Sequence, residues 1–457
     1  MEKDFFQGKH VVVMGLGRFG GGLDSARFAH GAGAAVTVTD MADAQALAPV
    51  LKELADLDGI TYHLGGHRAA DFETCDVVIV NPAVPPDSEY LRTALGAGAL
   101  LTSQIEIFFQ LCPAATVGIT GANGKSTTTA LTAHLLEAGR QVAGIRQVWL
   151  GGNIGNRPLL VDLDRIGPDD VAVLELSSFQ LEQLARVRHA PDIAVITNLT
   201  PNHLDRHGTF EAYCDAKEGI FRYQRLDAAA PSTSIFNAED PITSAWFDRY
   251  AGQRGRVCVK FHHQDVPAAV VEAFRLPGKA NLSDLAAAMA VARRLGIDDS
   301  VVAGCIGAFK GLEHRLEFVA RVRGVDWYND SIATTPPSAI VALEAFDAPR
   351  VIIAGGYDKK LPFDAFGRKI AADAAAAILI GATARKIAAA IEAARTDQQR
   401  PKVVFAADMR EAVARAADIA RPGCVVLMSP ACASYDMFTN YRQRGDIFAE
   451  CVRALPS

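Results

Sequence analysis

The residues best suited to chemistry lie in the run Gly118-Ile119-Thr120-Gly121-Ala122-Asn123-Gly124-Lys125-Ser126-Thr127-Thr128-Thr129. Glycines let backbone N–H groups approach phosphate oxygens with no Cβ in the way. A helix starting at the loop adds its N-terminal partial positive charge. In this pattern Lys125 reaches the β- and γ-phosphates and the Ser126 hydroxyl ligates Mg²⁺. Ile119 stands where the strict pattern has its first glycine. The plainer alternative is a turn glycine cluster at a helix start, and the Gly-Lys-Ser core with its flanks argues against it.

Three further groups follow: Glu175, His203 and Lys217. A carboxylate and an imidazole facing a Mg-nucleotide suit a second divalent ion that neutralises a transferring phosphoryl group. Taken singly, Glu175 also reads as a paired strand-end acid, His203 as a loop histidine and Lys217 as a helix-surface lysine. A second glycine turn, Gly15-Leu16-Gly17-Arg18-Phe19-Gly20, has Asp40 about twenty residues on, the spacing of a dinucleotide-binding βαβ unit. Alone it is a weak signal, shared with purely structural tight turns.

The elements that must position these groups are legible in outline. Apolar strands are expected at 10–14, 35–39 and 75–80, the last ending in the Asn81-Pro82-Ala83 loop, and this first unit closes around 100–112. The second unit opens with the phosphate loop between a short strand and a helix. Strands at 171–181 and 192–198 put Glu175 near, and His203 beyond, C-terminal strand ends. Residues 226–275 read as a less regular α/β region. Leu276-Pro277-Gly278-Lys279-Ala280-Asn281 opens an alanine-rich helix that the Asn281 side chain could cap. A third unit starts near Gly311, with strands near 351–354, 377–380, 403–405 and 425–428. Alanine-rich stretches such as Ala371–Ala377 read as helix surface. Strands alternating with helices imply parallel sheets covered on both faces. The expected fold is α/β in three domains: a Rossmann-like unit (1–111), a central phosphate-loop ATPase unit (112–311) and a Rossmann-like C-terminal unit (312–457).

The bulk properties narrow the class. A chain of 457 residues suggests two to four domains at about 150 residues each. Net charge is −6 and no basic run appears, so no nucleic-acid footprint exists. Eight cysteines without a Cys-x-x-Cys pair imply reduced thiols in a cytoplasmic protein rather than a disulfide frame or zinc ribbon. No signal-peptide pattern and no membrane-spanning apolar run is evident.

Along nearly its whole length the chain resembles the Mur ligase family of peptidoglycan assembly. Within it, the branch adding glutamate to UDP-N-acetylmuramoyl-L-alanine is most similar. The resemblance rests on Thr120–Ser126, Gly151-Gly152-Asn153-Ile154-Gly155, Leu174-Glu175-Leu176-Ser177-Ser178-Phe179-Gln180-Leu181 and Asn202-His203-Leu204-Asp205-Arg206-His207 followed by Lys217. Gly311-Leu312-Glu313-His314-Arg315, Asn329-Asp330-Ser331, Gly355-Gly356-Tyr357-Asp358-Lys359 and Ser429-Pro430-Ala431-Cys432-Ala433-Ser434 extend it. The family's own phosphate-loop form accounts for Ile119.

The resemblance implies an ATP-dependent carboxylate–amine ligase working through an acyl phosphate, with two Mg²⁺ ions and a carbamylated Lys217. It implies ATP contacts from Gly121, Asn123, Gly124, Lys125, Ser126 and Thr127, with Asn281, Arg315 and Asp330 toward adenine, phosphate and ribose. Ser126 and Glu175 would serve one Mg²⁺, and His203 and Lys217 the other. A carbamate is an anionic oxygen ligand suited to Mg²⁺, whereas a free ammonium would repel the ion. The N-terminal glycine turn would then bind the uridine diphosphate of the substrate through Leu16, Arg18, Phe19, Asp40, Asn81, Pro82 and Ala83, with Asn153, Ser177 and Gln180 contributing. Thr334, Lys359, Ser434 and Tyr441 would hold glutamate, with Lys360 an equal alternative to Lys359.

The chain departs from the family pattern at Ile332, Ala280 and Asp284, and the 145–149 segment is longer than usual. These changes leave ATP use intact and bear on the amino acid and its handedness. D-Glutamate is the expected substrate, L-glutamate or another acidic amino acid its rival, and a monomer the expected state. A folylpolyglutamate-synthetase-like ligase would lack the N-terminal domain. A nicotinamide oxidoreductase leaves the phosphate loop unexplained, and a nucleotide switch predicts binding without ligation.

Overall fold

The computed structural model describes residues 2–17, 20–154, 159–396 and 401–456. Their strands form three sheets. The first holds β1 (His10–Met14), β2 (Ala35–Asp40), β3 (Thr61–Leu64), β4 (Val77–Val80) and β5 (Leu100–Thr102) in the order β3-β2-β1-β4-β5, every pair parallel. The Val-Val-Ile-Val run of β4 is buried throughout, as a parallel strand sandwiched by helices requires. Strand order reverses between β1 and β4, so the loops after Met14 and Val80 diverge and leave a crevice.

The second sheet holds β6 (Ala115–Thr120), β7 (Val148–Gly152), β8 (Val171–Glu175), β9 (Ile193–Ile196), β10 (Ser232–Asn237) and β11 (Arg256–Phe261) in the order β11-β10-β9-β6-β8-β7. β6 lies between β8 and β9, so the phosphate loop leaves the sheet flanked by the ends of both. Residues 226–275 are more regular than their sequence suggests, because β10 and β11 pair in parallel and extend this sheet. Ile119 is fully buried inside β6, opposite Glu175, so the position of the absent glycine belongs to a core strand.

The third sheet holds β12 (Glu317–Val322), β13 (Val325–Asn329), β14 (Arg350–Ala354), β15 (Ala374–Leu379), β16 (Lys402–Phe405) and β17 (Val425–Met428) in the order β12-β13-β17-β14-β15-β16. Two expectations are corrected here. The sheet is not wholly parallel, since β12 and β13 form an antiparallel pair at one edge. Ala371–Ala377 is not helix surface either: a helix ends at Asp373 and β15 starts at Ala374, with Ala376 and Ala377 fully buried between β14 and β16. Pairing on both sides overrides alanine's helix preference, and small side chains let covering helices pack close.

The expected cap is also corrected. The alanine-rich helix runs Lys279–Arg294, so Asn281 lies within its first turn, where its side-chain amide donates to the Pro277 carbonyl at 2.6 Å. The chain divides into two compact bodies, Met1–Pro267 with Ser283–Cys305, and Ala268–Leu282 with Ile306–Ser457. Among the described residues no helix is long and apolar enough to cross a membrane.

Candidate active site

In the first body, a cavity of about 680 Å³ opens at the C-terminal ends of β1, β2 and β4, lined by Gly15, Gly17, Asp40, His67, Asn81 and Tyr90 among others. Asp40 shapes it: its carboxylate accepts the N–H of Gly17 at 2.9 Å and of Ala42 at 2.8 Å, closing the glycine turn. Asn81 donates to the Gly15 carbonyl at 3.2 Å and accepts the N–H of Ala83 at 3.0 Å. Ala83 borders the same cavity, whereas the Leu16 side chain is fully buried in the core. Arg18 and Phe19 lie outside the described residues.

The phosphate loop is held from the β9 side. Asn123 N donates to Asn198 Oδ1 at 3.0 Å, and its carbonyl accepts from Thr197 Oγ1 at 2.6 Å and Asn198 Nδ2 at 3.0 Å. Gly121 has φ +148°, and a Cβ there would sit 1.9 Å from Thr197 Oγ1. Gly124 has φ +80° and would place a Cβ 2.2 Å from Asp284 Oδ1. The Asp284 carboxylate also accepts from Thr128 at 3.1 Å, so this departure from the family pattern lies directly against the loop. Lys125, Ser126 and Thr127 open the helix Lys125–Gly139, and Lys125 Nζ donates to the Ala122 carbonyl at 2.9 Å.

Glu175 ends β8 and is buried. Its Oε1 accepts from Asn153 Nδ2 at 2.7 Å, while Oε2 is buried with no hydrogen-bond partner among the described residues. A buried carboxylate oxygen in that condition costs free energy unless a cation or donor completes it. Ser177 and Gln180 form a reciprocal capping box that starts the helix Ser178–Arg186 just past Glu175.

Lys217 is not on a helix surface. It is 1% exposed, on the inner face of the helix Phe210–Arg222, and Nζ donates to Thr120 Oγ1 at 3.0 Å. Desolvation and then the Lys125 ammonium drive its pKa far below that of an ordinary lysine, against the opposing pull of Glu175 and Cys214. His203 sits on a left-handed residue, φ +52°, at the start of a short helix, Leu204–His207. Partial desolvation and the Lys125 charge push its imidazole below the ordinary histidine pKa. The first body thus brings Lys125, Glu175, His203 and Lys217 to one sheet edge, and the unpartnered Glu175 oxygen there is a donor of the kind a hard cation takes.

In the second body, Asp330 accepts from Ser429 Oγ at 2.7 Å and from Leu316 N at 3.2 Å. Burial lifts its carboxyl to about 7 despite Ser429 and the Arg315 charge. Ser434 is buried, Tyr441 begins the helix Tyr441–Arg453 and accepts from Ser331 Oγ at 2.7 Å, and Thr334 is half-buried. Lys359 and Lys360 are both exposed, and Lys360 has the left-handed backbone, φ +58°.

Sequence reasoning missed Thr120, which anchors Lys217, and Asn198, which cradles the loop; its place just past β9, at the switch point, was the available signal. A separate cluster of Glu239, His262 and His263 could suggest a metal. Yet His262 Nδ1 accepts the Gln264 N–H at 3.0 Å, so a neutral ring carries its proton on the nitrogen facing Glu239. The arrangement is a hydrogen-bonded cluster.

Comparison with known proteins places the chain in a family. A MurD-like N-terminal domain of Mur ligases matches residues 9–103, the Mur ligase middle domain residues 119–276 and the Mur ligase glutamate ligase domain residues 314–432. A UDP-N-acetylmuramoylalanine–D-glutamate ligase of Pelotomaculum thermopropionicum is 38% identical over 475 residues, spanning 100% of this chain and 99% of that protein. Its namesake from a Roseiflexus species is 40% identical over 477 residues, spanning 98% and 99%. In fold, the UDP-N-acetylmuramate–alanine ligase MurC of Thermotoga maritima superposes with a TM-score of 0.59 at 18% identity, covering 98% of this chain and 99% of its own. Three domains matched in order, and identity sustained from end to end, establish that the chain belongs to the Mur ligase family.

Proposed function

We propose that this chain joins D-glutamate to UDP-N-acetylmuramoyl-L-alanine, with ATP first phosphorylating the alanyl carboxylate. The chain is an ATP-dependent carboxylate–amine ligase of peptidoglycan precursor synthesis, as its full-length relatives are. A carboxylate is a poor acyl donor at neutral pH, so it must become an acyl phosphate before an amine can attack its carbon and expel phosphate. The loop residues Gly121, Asn123, Gly124, Lys125, Ser126 and Thr127 hold the triphosphate, and Lys125 offsets charge on the transferring phosphoryl group. Mg²⁺, when bound, screens the phosphoryl oxygens and orients them. Ser126 and Glu175 would hold one ion, His203 and Lys217 a second.

The observation that carries this reading is the buried Lys217. Desolvation disfavours the ammonium, the uncharged amine is the form that adds CO₂ to give a carbamate, and that product supplies the oxygen ligand an ammonium cannot. The unpaired Glu175 Oε2 supports a cation at the same edge. We assign the N-terminal cavity to the uridine diphosphate, with Asp40, Asn81 and Ala83 at its wall, Pro82 in the same loop, Leu16, Arg18 and Phe19 on its turn, and Asn153, Ser177 and Gln180 nearer the reacting end. Asn281, Arg315 and Asp330 keep their assignment to the nucleotide, and Thr334, Lys359, Ser434 and Tyr441 theirs to glutamate. The same proposal takes 1–111, 112–311 and 312–457 as the three domains of a cytoplasmic monomer.

The test is ATP-dependent phosphate release with UDP-N-acetylmuramoyl-L-alanine and each glutamate enantiomer in turn. Turnover with D-glutamate alone is expected. Equal inactivity with both would sink the assignment, and stabilisation by NAD instead would favour an oxidoreductase.

A further inference from the structure

We propose that Arg206 is a positioning residue that registers the wall of the N-terminal cavity against the turn carrying His203; this rests on the reading of that cavity and that histidine given above. Asn81 and Ala83 line the wall, with Pro82 between them in sequence. Asn81 is fixed to the glycine turn through its N–H to the Met14 carbonyl at 3.0 Å and its amide to the Gly15 carbonyl at 3.2 Å. Arg206 Nη1 donates to the Pro82 carbonyl at 3.0 Å, across 124 residues of sequence.

The other side of the guanidinium meets the central sheet. Its carbon lies 4.6 Å from the ring centre of Phe179, the second residue of the helix that follows Glu175. The same ring meets His203 edge-on at 5.2 Å and stacks on His207 at 5.3 Å. His207 is in turn held by Ser178 Oγ at 2.9 Å and Glu182 Oε1 at 3.2 Å. His203 needs such support: it is exposed and holds a left-handed backbone that burial does not impose. A planar guanidinium can lie on a ring and donate in its own plane at once, whereas a lysine ammonium offers a point charge without the flat face. Arg206 therefore ties the loop at the cavity wall to the Phe179 ring, and that ring meets His203, so a sugar nucleotide seated against Asn81 and Ala83 is placed relative to His203.

Steady-state kinetics of full-length Arg206→Met, Arg206→Lys, Phe179→Leu and the Arg206→Met/Phe179→Leu double variant test this, with the thermal midpoint as folding control. For Arg206→Met, the expected result is a KM for UDP-N-acetylmuramoyl-L-alanine raised about tenfold and a kcat lowered about tenfold, with the KM for ATP within about twofold of wild type. Arg206→Lys should fall between, and the loss in the double variant should be smaller than the product of the two single losses. An unchanged KM for the sugar nucleotide in an active Arg206→Met enzyme, or losses that multiply in the double variant, would overturn the role of Arg206 and leave the ligase reading standing. A wild-type chain that fails to bind UDP-N-acetylmuramoyl-L-alanine would overturn the reading of the cavity, and this inference with it.

Discussion

Lys217 Nζ donates to Thr120 Oγ1 at 3.0 Å, which sets a buried amine against the last residue of the strand feeding the phosphate loop. The Thr120 hydroxyl donates to the Leu176 carbonyl at 2.7 Å, so its oxygen is free to accept from the amine. The lysine is held in place by one hydrogen bond and by the Tyr213 ring, 4.9 Å away.

Lys217→Met should separate stability from activity. Phosphate release should fall by about 100-fold or more, and excess bicarbonate should not restore it. The thermal midpoint should stay level or rise, because an apolar chain of similar length removes the cost of burying an amine. A variant with normal turnover would refute the carbamate role.

Glu175→Gln keeps an acceptor for Asn153 and changes only the charge. Folding stability should shift by no more than about 1 kcal/mol. Turnover should drop about 100-fold, and raised Mg²⁺ should recover part of it if the carboxylate acts as a ligand. Calorimetric titration with Mg-ATP, alongside urea unfolding, separates the two effects.

Gly121→Ala should disable nucleotide binding through the backbone. The left-handed φ and the clash with Thr197 both oppose a Cβ. The loop must move, at a cost on the order of 1–3 kcal/mol. ATP affinity measured by fluorescent-analogue displacement should fall about tenfold or more, while Gly144→Ala, where no atom lies within 4 Å, should leave it unchanged.

Asp24 predicts a pH effect on folding. The carboxylate accepts from Gln104 at 2.6 Å and from the N–H groups of Leu160 and Val161 at 3.0 and 3.2 Å. Burial nonetheless pushes its pKa up from 3.8 to about 6. The folded state therefore holds this proton more tightly than the unfolded chain. The associated stability is full below about pH 4 and is lost as pH rises through about 6, up to ~3 kcal/mol. Thermal midpoints of wild type and Asp24→Asn should draw apart between pH 4.5 and 7, with the variant gaining relative to wild type as pH rises. Parallel profiles would contradict the assignment.

Much of the site was legible because its signals are local. A glycine loop between an apolar strand and a helix writes its own geometry, and Glu175 was recognisable as a strand-end acid from the five apolar or small residues around it. Lys217 is harder to read. Helical spacing from Tyr213, Cys214, Ile220 and Phe221 places it on the apolar face of its helix, but only packing against β6 shows that the charged residue stays on that face and is buried. The same holds for Ala374–Leu379, where local propensity favours helix and two neighbouring strands impose the opposite. The β12–β13 hairpin escaped notice because Arg321 and Arg323 interrupt its apolar pattern.

The amino-acid sequence by itself determined the phosphate loop, the alternation that builds parallel sheets and the family to which the chain belongs, since each depends on residues close together or on motifs kept in order. The tertiary structure decided which ionisable groups lose their water. Desolvation disfavours the ammonium of Lys217 and leaves Glu175 an oxygen to share. It depends on what packs against a residue from distant parts of the chain, and no local stretch of sequence contains that information.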